Sequence, residues 1–384
     1  MPKSFAKWIL CTLTIALLVT CTKTDEANIN YVTILPFEKD TTKISLKINN
    51  IIKLESEDVI LVSPLRTIKL LHDKIYIEDS FRGFLNIFNT EGRLLKTVGK
   101  LGAGPGEFTK ISDVDYNEFD STFVVLANND RKILRYDTDG NFMNEIPIQF
   151  FARDLSPLKD GFIVNVDFNT SSVSENANIL LIDGKGSIKK RFHKYIEKNR
   201  PSSDFSGFLV SNKEGALYAT SLGDTIYQIT ESHIYPKYFV DFGNLRVPEK
   251  VKEDISLINK LIDLAHLRRP GFETDQLVIL PFAHKQYLKK MIFNKITQKT
   301  IIDREMEDPL FELLSVPFGM VNNGQHQTNS DVFISEIFYE HWAYFEESKR
   351  LKILTKHPEL SKYLTKLTEE DNPLLIFFEI EISN

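Results

Sequence analysis

The stretch LNIFNTEGRLLK, residues 85–96, sets out a short apolar run, an Asn, two residues, a Gly and a second run. ILRYDTDGNFMN at 133–144 and ILLIDGKGSIKK at 179–190 repeat that order with Asp in place of Asn. The residue types have a mechanical reason. The side chains of Asn89, Asp137 and Asp183 can accept from backbone amides two residues on, and a glycine supplies the positive φ that closes a hairpin. Gly92, Gly140 and Gly186 stand 48 and 46 residues apart. A period of 40 to 50 residues filled by short strands and tight turns is the sequence signature of a β-propeller blade.

Working outward, residues 216–242, 276–305 and 331–348 supply three further, looser units, with Ser232 and His233 replacing the usual turn pair in the first of them. Two stretches interrupt the pattern. Residues 248–267 place Ile255, Ile258, Ile262 and Ala265 on one helical face, and 357–371 place Leu360, Leu364 and Leu367 on another. The expected fold is all-β: a six-bladed β-propeller over residues 40–384, with four-stranded blades and two small helical insertions.

The first 21 residues read as an export signal, with Lys3 and Lys7 ahead of the apolar run WILCTLTIALLV, which is too short to span a bilayer. The run ends in LLVTC, which resembles a lipoprotein lipobox with Thr20 before the cysteine. Cys21 is the expected lipid attachment site, and residues 22–39 the tether. No cysteine follows Cys21, so no disulfide framework exists and stability must come from the core. With 42% hydrophobic and 26% charged residues the chain can bury such a core. Lys and Arg total 47 against 53 Asp and Glu, a net charge of -6, which leaves no basic field for nucleic acid.

GKLGAGPGEF at 99–108 invites a phosphate-cradle reading, but neither the dinucleotide spacing nor a closing Gly-Lys-Ser/Thr is present. It reads instead as a connection between blades. The sequence also lacks H-E-x-x-H, G-x-S-x-G and Cys-x-x-Cys, and its eight histidines are scattered, so no metal site or cofactor is expected.

Taken together, GKLGAGPGEF, NNDRKILRYDTDG at 128–140 and the C-terminal DNPLLIFFEIEI at 371–382 resemble the six-bladed propeller lipoproteins of Bacteroidota, which are akin to NHL-repeat propellers. That resemblance implies radial four-stranded sheets and a final strand at the C-terminus; Asp25 and Glu26 resemble the acidic tags that send such lipoproteins to the cell surface. Blade-to-blade connections then share a face with the second-to-third-strand turns, where propeller ligands usually sit. The candidate rim on that face is Arg82, Lys100, Glu107, Asp130, Arg131, Arg153 and Asp154, while Phe150 and Phe151 are expected in the core. The expected function is a lipid-anchored module of the cell envelope, at the outer membrane and facing the periplasm or the surface, that binds or scaffolds a glycan, peptide or protein partner. The alternatives are a propeller enzyme, a lyase or hydrolase acting on glycans or peptides with or without a metal, and a purely structural subunit of an envelope complex.

Overall fold

The computed structural model describes residues 31–36, 43–194, 207–302, 308–314 and 332–383, apart from positions 60, 62–64, 66, 72, 80, 81, 103, 170, 171, 254–256, 258–260 and 286. The signal segment with Cys21 lies outside the described residues. In chain order, β1 (Val32–Ile34) and β2 (Lys43–Lys53) precede blade 1, formed by β3 (Thr67–Leu71), β4 (Lys74–Asp79), β5 (Phe84–Asn89) and β6 (Leu94–Val98). A connection holding β7 (Lys100–Leu101) and β8 (Glu107–Phe108) leads to blade 2: β9 (Asp113–Asn117), β10 (Thr122–Ala127), β11 (Lys132–Tyr136) and β12 (Phe142–Pro147). Blade 3 is β13 (Asp154–Leu158), β14 (Gly161–Asn165), β15 (Ala177–Asp183) and β16 (Ile188–Lys194). Blade 4 is β17 (Gly207–Asn212), β18 (Gly215–Thr220), β19 (Thr225–Ile229) and β20 (Ile234–Val240), with β1 added in parallel outside β20.

After the short helix α1 (Glu249–Glu253), blade 5 begins with an inner edge split into β21 (Ala265–Leu267) and β22 (Phe272–Glu273), followed by β23 (Leu277–His284), β24 (Tyr287–Asn294) and β25 (Thr300–Ile302). Helix α2 (Pro309–Leu313) comes next. Blade 6 contains β26 (Val332–Ile337), the helices α3 (Tyr339–Ala343), α4 (Glu347–Lys356) and α5 (Pro358–Leu364), and β27 (Leu374–Ser383). The N-terminal β2 pairs antiparallel with β27 from Lys43↔Ser383 to Lys53↔Leu374, so the two ends of the chain close the ring in one blade.

The repeated turn residues do what their chemistry dictates. Asn89 Oδ1 accepts from the amides of Glu91 and Arg93, Asp137 from Asp139 and Asn141, and Asp183 from Lys185 and Ser187, all at 2.8–3.2 Å. Blades 4 and 5 use other oxygens for the same work: Thr230 accepts from Ser232 and His233, and Asn294 from Ile296 and Thr297. Gly92, Gly140 and Gly186 all have positive φ, and a Cβ on each would strike the preceding blade at Lys53, Val98 and Pro147 respectively. The glycine that sets the sequence period is therefore also the joint between neighbouring blades. Gly92 makes that joint with β2, across the seam where the chain closes.

Four expectations need correction. Val32–Ile34, placed in the tether, forms a strand on blade 4, because the exposed edge of β20 offers unpaired backbone groups. The helix expected over 248–267 is α1 at its start and Ala265 lies in β21, while Ile255 and Ile258 of that expectation lie outside the described residues. The unit expected over 331–348 is strand only to Ile337. There α3 takes over and buries Trp342 in a cluster with Ile353, Leu360, Leu364 and Leu367. Phe150 is in the core, but Phe151 is exposed with the Arg131 guanidinium 5.3 Å from its ring centre. Among the described residues no helix is long and apolar enough to cross a membrane.

Candidate functional site

First strands run from the face bearing the blade-to-blade connections, here called the upper face, toward the opposite, lower face. Residues just ahead of those strands therefore crowd the upper mouth of the central channel. Arg153 precedes β13 and Phe208 is the second residue of β17. Arg269 occupies the break between β21 and β22, where Pro270 and Gly271 interrupt the strand. The Arg153 guanidinium lies 4.2 Å from the Phe208 ring centre and the Arg269 guanidinium 5.0 Å from the same centre. Three blades thus meet on one ring. Arg153 Nη1 donates to Asp167 at 2.9 Å, and its Nε lies 3.9 Å from the buried Asp154.

A buried polar frame holds this cluster. Asp167 and Phe168 both have positive φ, which folds the loop between β14 and β15 back on itself, and the Asp167 amide donates to Asn165 Oδ1 at 2.9 Å. Asn165 donates from Nδ2 to the Gly207 carbonyl at 2.9 Å, fixing the start of β17 and hence Phe208. Asn178 accepts from the Phe168 amide and donates to the Tyr218 hydroxyl at 2.5 Å. Burial pushes the Tyr218 phenol up and pulls His266 down to about 4, so both are neutral near pH 7. The cations of the cluster are the two arginines, with the carboxylates of Asp154 and Asp167 beside Arg153. A guanidinium stacked on a ring still presents N–H edges in its own plane, suited to carboxylate or carbonyl oxygens.

Below the mouth, four first strands are tied by one polar layer. Lys69 of β3 pairs with Asp115 of β9, and the Ser211 hydroxyl of β17 lies between Asp115 and Ser156 of β13, 2.7 Å from the latter. A hydroxyl carries one proton. Ser211 gives its own to the carboxylate, leaving Ser156 to donate to Ser211 or to the Gly215 carbonyl at 3.0 Å.

Six of the seven sequence-predicted residues lie in upper-face turns or connections and Asp154 opens β13 at that face; only Arg153 and Asp154 belong to the mouth cluster. Arg82 is exposed, with its amide donating to Asp79 at 3.0 Å. Lys100 and Glu107 pair at 2.7 Å, and Glu107 also accepts from the Gly104 amide at 2.9 Å, so this carboxylate staples GKLGAGPGEF. The hydrogen bond from Lys100 is the main reason its carboxyl is held low. Asp130 accepts from the amide and hydroxyl of Thr109, and Arg131, at positive φ, stacks on Phe151. Sequence reasoning missed Phe208, Arg269 and Asp167. RRPGF at 268–272 carries a detectable signal, since Pro-Gly breaks a strand just after paired arginines. Among the described residues no group of three or more His, Cys, Asp or Glu could hold a metal ion.

Residues 41–379 match the family described as Domain of unknown function (DUF4934), and the chain belongs to it. In fold it is similar to an exported protein from Bacteroides fragilis, with a TM-score of 0.69 and 19% identity over 92% of this chain and 100% of that one. A member of the DUF4221 family from Bacteroides vulgatus superposes with a TM-score of 0.55 and 11% identity, covering 89% of this chain and 99% of that one. No curated protein matches the sequence.

Proposed function

We propose that this member of the DUF4934 family is a lipid-anchored binding propeller of the cell envelope that holds an acidic segment of a peptide or protein partner at the upper mouth of its channel. The observation that carries the reading is the convergence of Arg153 and Arg269 on Phe208. Stacked guanidinium groups lose little entropy on meeting a carboxylate, and Arg with aromatic residues is the composition of binding hot spots. Leu101, Phe151, Tyr287 and Tyr344 are exposed on connections and turns of the same face, which favours a protein-like partner over a small polar one. Anchoring rests on the export signal that ends at Cys21, and the exported Bacteroides fragilis neighbour is consistent with it.

Two measurements test this. Mass spectrometry of the mature N-terminus should find a lipidated Cys21; cleavage elsewhere overturns the anchor. For the site, a random-peptide display selected against the folded protein should enrich acidic sequences, and Arg153→Ala should weaken a selected peptide about tenfold or more while Arg153→Lys recovers only part of the loss. Enrichment of neutral sequences, or equal affinity in Arg153→Ala, removes the mouth as the site. Selective binding of neutral glycans there replaces the peptide reading.

A further inference from the structure

The lower face carries a cleft of about 420 Å³ between blades 2 and 3, with the blade 2 wall contributing Arg135 and Ile146 and the turns of blade 3 contributing Leu158, Lys159, Asp160 and Lys185. Small-ligand sites run from roughly 300 to 1,000 Å³, so this volume suits one or two sugar units. Its buried lining combines apolar groups with the polar Asn117. Ile146, Leu158 and Phe162 are buried members of the inter-blade core.

The charges at its rim sort into engaged and available groups. Asp120 is taken by Arg135, and Asp183 by the amides of its own turn and by Lys189 at 2.9 Å. Among the described residues Lys159, Lys185 and Asp160 have no such partner, leaving a net charge of one positive unit. Arg135 Nε is buried with no hydrogen-bond partner among the described residues. We propose that this cleft binds an acidic sugar of the hexuronate class, with its carboxylate at Lys159 and Lys185, its hydroxyls donating to Asp160, and its C–H face against Ile146 and Leu158. The single net charge matches a carboxylate better than a phosphate dianion. An unpaired acceptor beside the lysines calls for hydroxyl donors, which an aliphatic acid lacks. The site is separate from the upper mouth and does not depend on the reading given to it.

The turn at Gly184 provides a clean block, because a Cβ there would meet nothing within 4 Å. Calorimetry of the full protein with glucuronate, glucose, octanoate and inorganic phosphate should show saturable binding of glucuronate at about millimolar Kd. The double variant Lys159→Met, Lys185→Met should weaken it about tenfold, and Gly184→Leu should abolish it without changing thermal unfolding. Glucose binding as well as glucuronate, octanoate or phosphate binding more tightly, or no saturable binding at all, overturns the proposal. So does glucuronate affinity unaffected by Gly184→Leu, or by the double lysine variant should the glycine variant fail to fold.

Discussion

Blades 1 to 3 and blades 5 to 6 solve one packing problem by different means. In the first group, two-residue turns, side-chain-capped hairpins and a glycine joint recur, and little besides strand is present. In the second, the first strand of blade 5 is broken and α2 to α5 pack onto blade 6 through Leu310, Phe311, Trp342, Ile353, Leu360 and Leu364. Both groups bury charge, Glu78, Asp79, Asp115 and Asp154 in blades 1 to 3 and Asp308 and Glu336 in the second, but the second ties Asp308 to helices. Asp308 caps α2 by accepting from the Leu310 amide at 3.0 Å, and meets His357 at 2.8 Å and Lys356 at 3.1 Å. Glu336 of β26 is enclosed, its Oε1 has no hydrogen-bond partner among the described residues, and burial pushes its carboxyl up to about 8. Local backbone rules specify the regular half; long-range burial specifies the other.

Substitutions that break one rule at a time sharpen this contrast. The largest effect should come from Gly92→Val, which forces a β-branched residue into φ +85° and against the Lys53 carbonyl at the closing seam. A loss of about 3 kcal/mol or more is expected in urea unfolding. Leu360→Ala, in the helical half, should cost about 2 to 4 kcal/mol by leaving a cavity under α5. A Gly92→Val protein as stable as wild type would mean that the glycine repeat is not the joint.

Asp308→Ala should cost about 1 to 3 kcal/mol at neutral pH, since it removes a cap and two charge partners. Burial raises this carboxyl, but the bond to His357, the charge of His357, the Leu310 amide and Lys356 outweigh it and hold it below the usual carboxylate range. Its contribution is therefore complete above about pH 4 and fades as pH falls through its lowered pKa, so wild type and variant should converge in acid. Glu336→Gln should have the opposite sign. The folded acid stays protonated to about pH 8 while the unfolded one ionises near 4, so the native state pays increasingly across that window. The variant should match wild type near pH 4 and exceed it by on the order of 1 kcal/mol at neutral pH. Smallest of all, Gly184→Ala should change unfolding by less than about 0.5 kcal/mol, in contrast to Gly186, two residues on, where a Cβ would collide with Pro147.

The regular half was legible because a turn is written in four or five consecutive residues. Asn89, Asp137 and Asp183 with their glycines disclose hairpins without knowledge of any neighbour. The helical half was harder. FYEHWAYFEES is rich in aromatic residues that favour strands, and only the packing of Trp342 against α4 and α5 decides for helix. The mouth was half visible: turn position brought out Arg153 and Asp154, whereas Arg269 and Phe208 are 61 residues apart and meet only when blades 4 and 5 are side by side. The channel layer of Lys69, Asp115, Ser156 and Ser211 has no local signature, since blades 1 to 4 supply one member each.

The strand β1 sets the length of a leash. Tyr31 lies ten residues beyond Cys21, and ten residues fully extended reach about 35 Å at most. Because β1 pairs along the outside of β20, the described chain enters the fold at the outer edge of blade 4. Tyr31 therefore sits at neither the upper mouth, built by blades 3 to 5 on their inner edges, nor the lower cleft between blades 2 and 3.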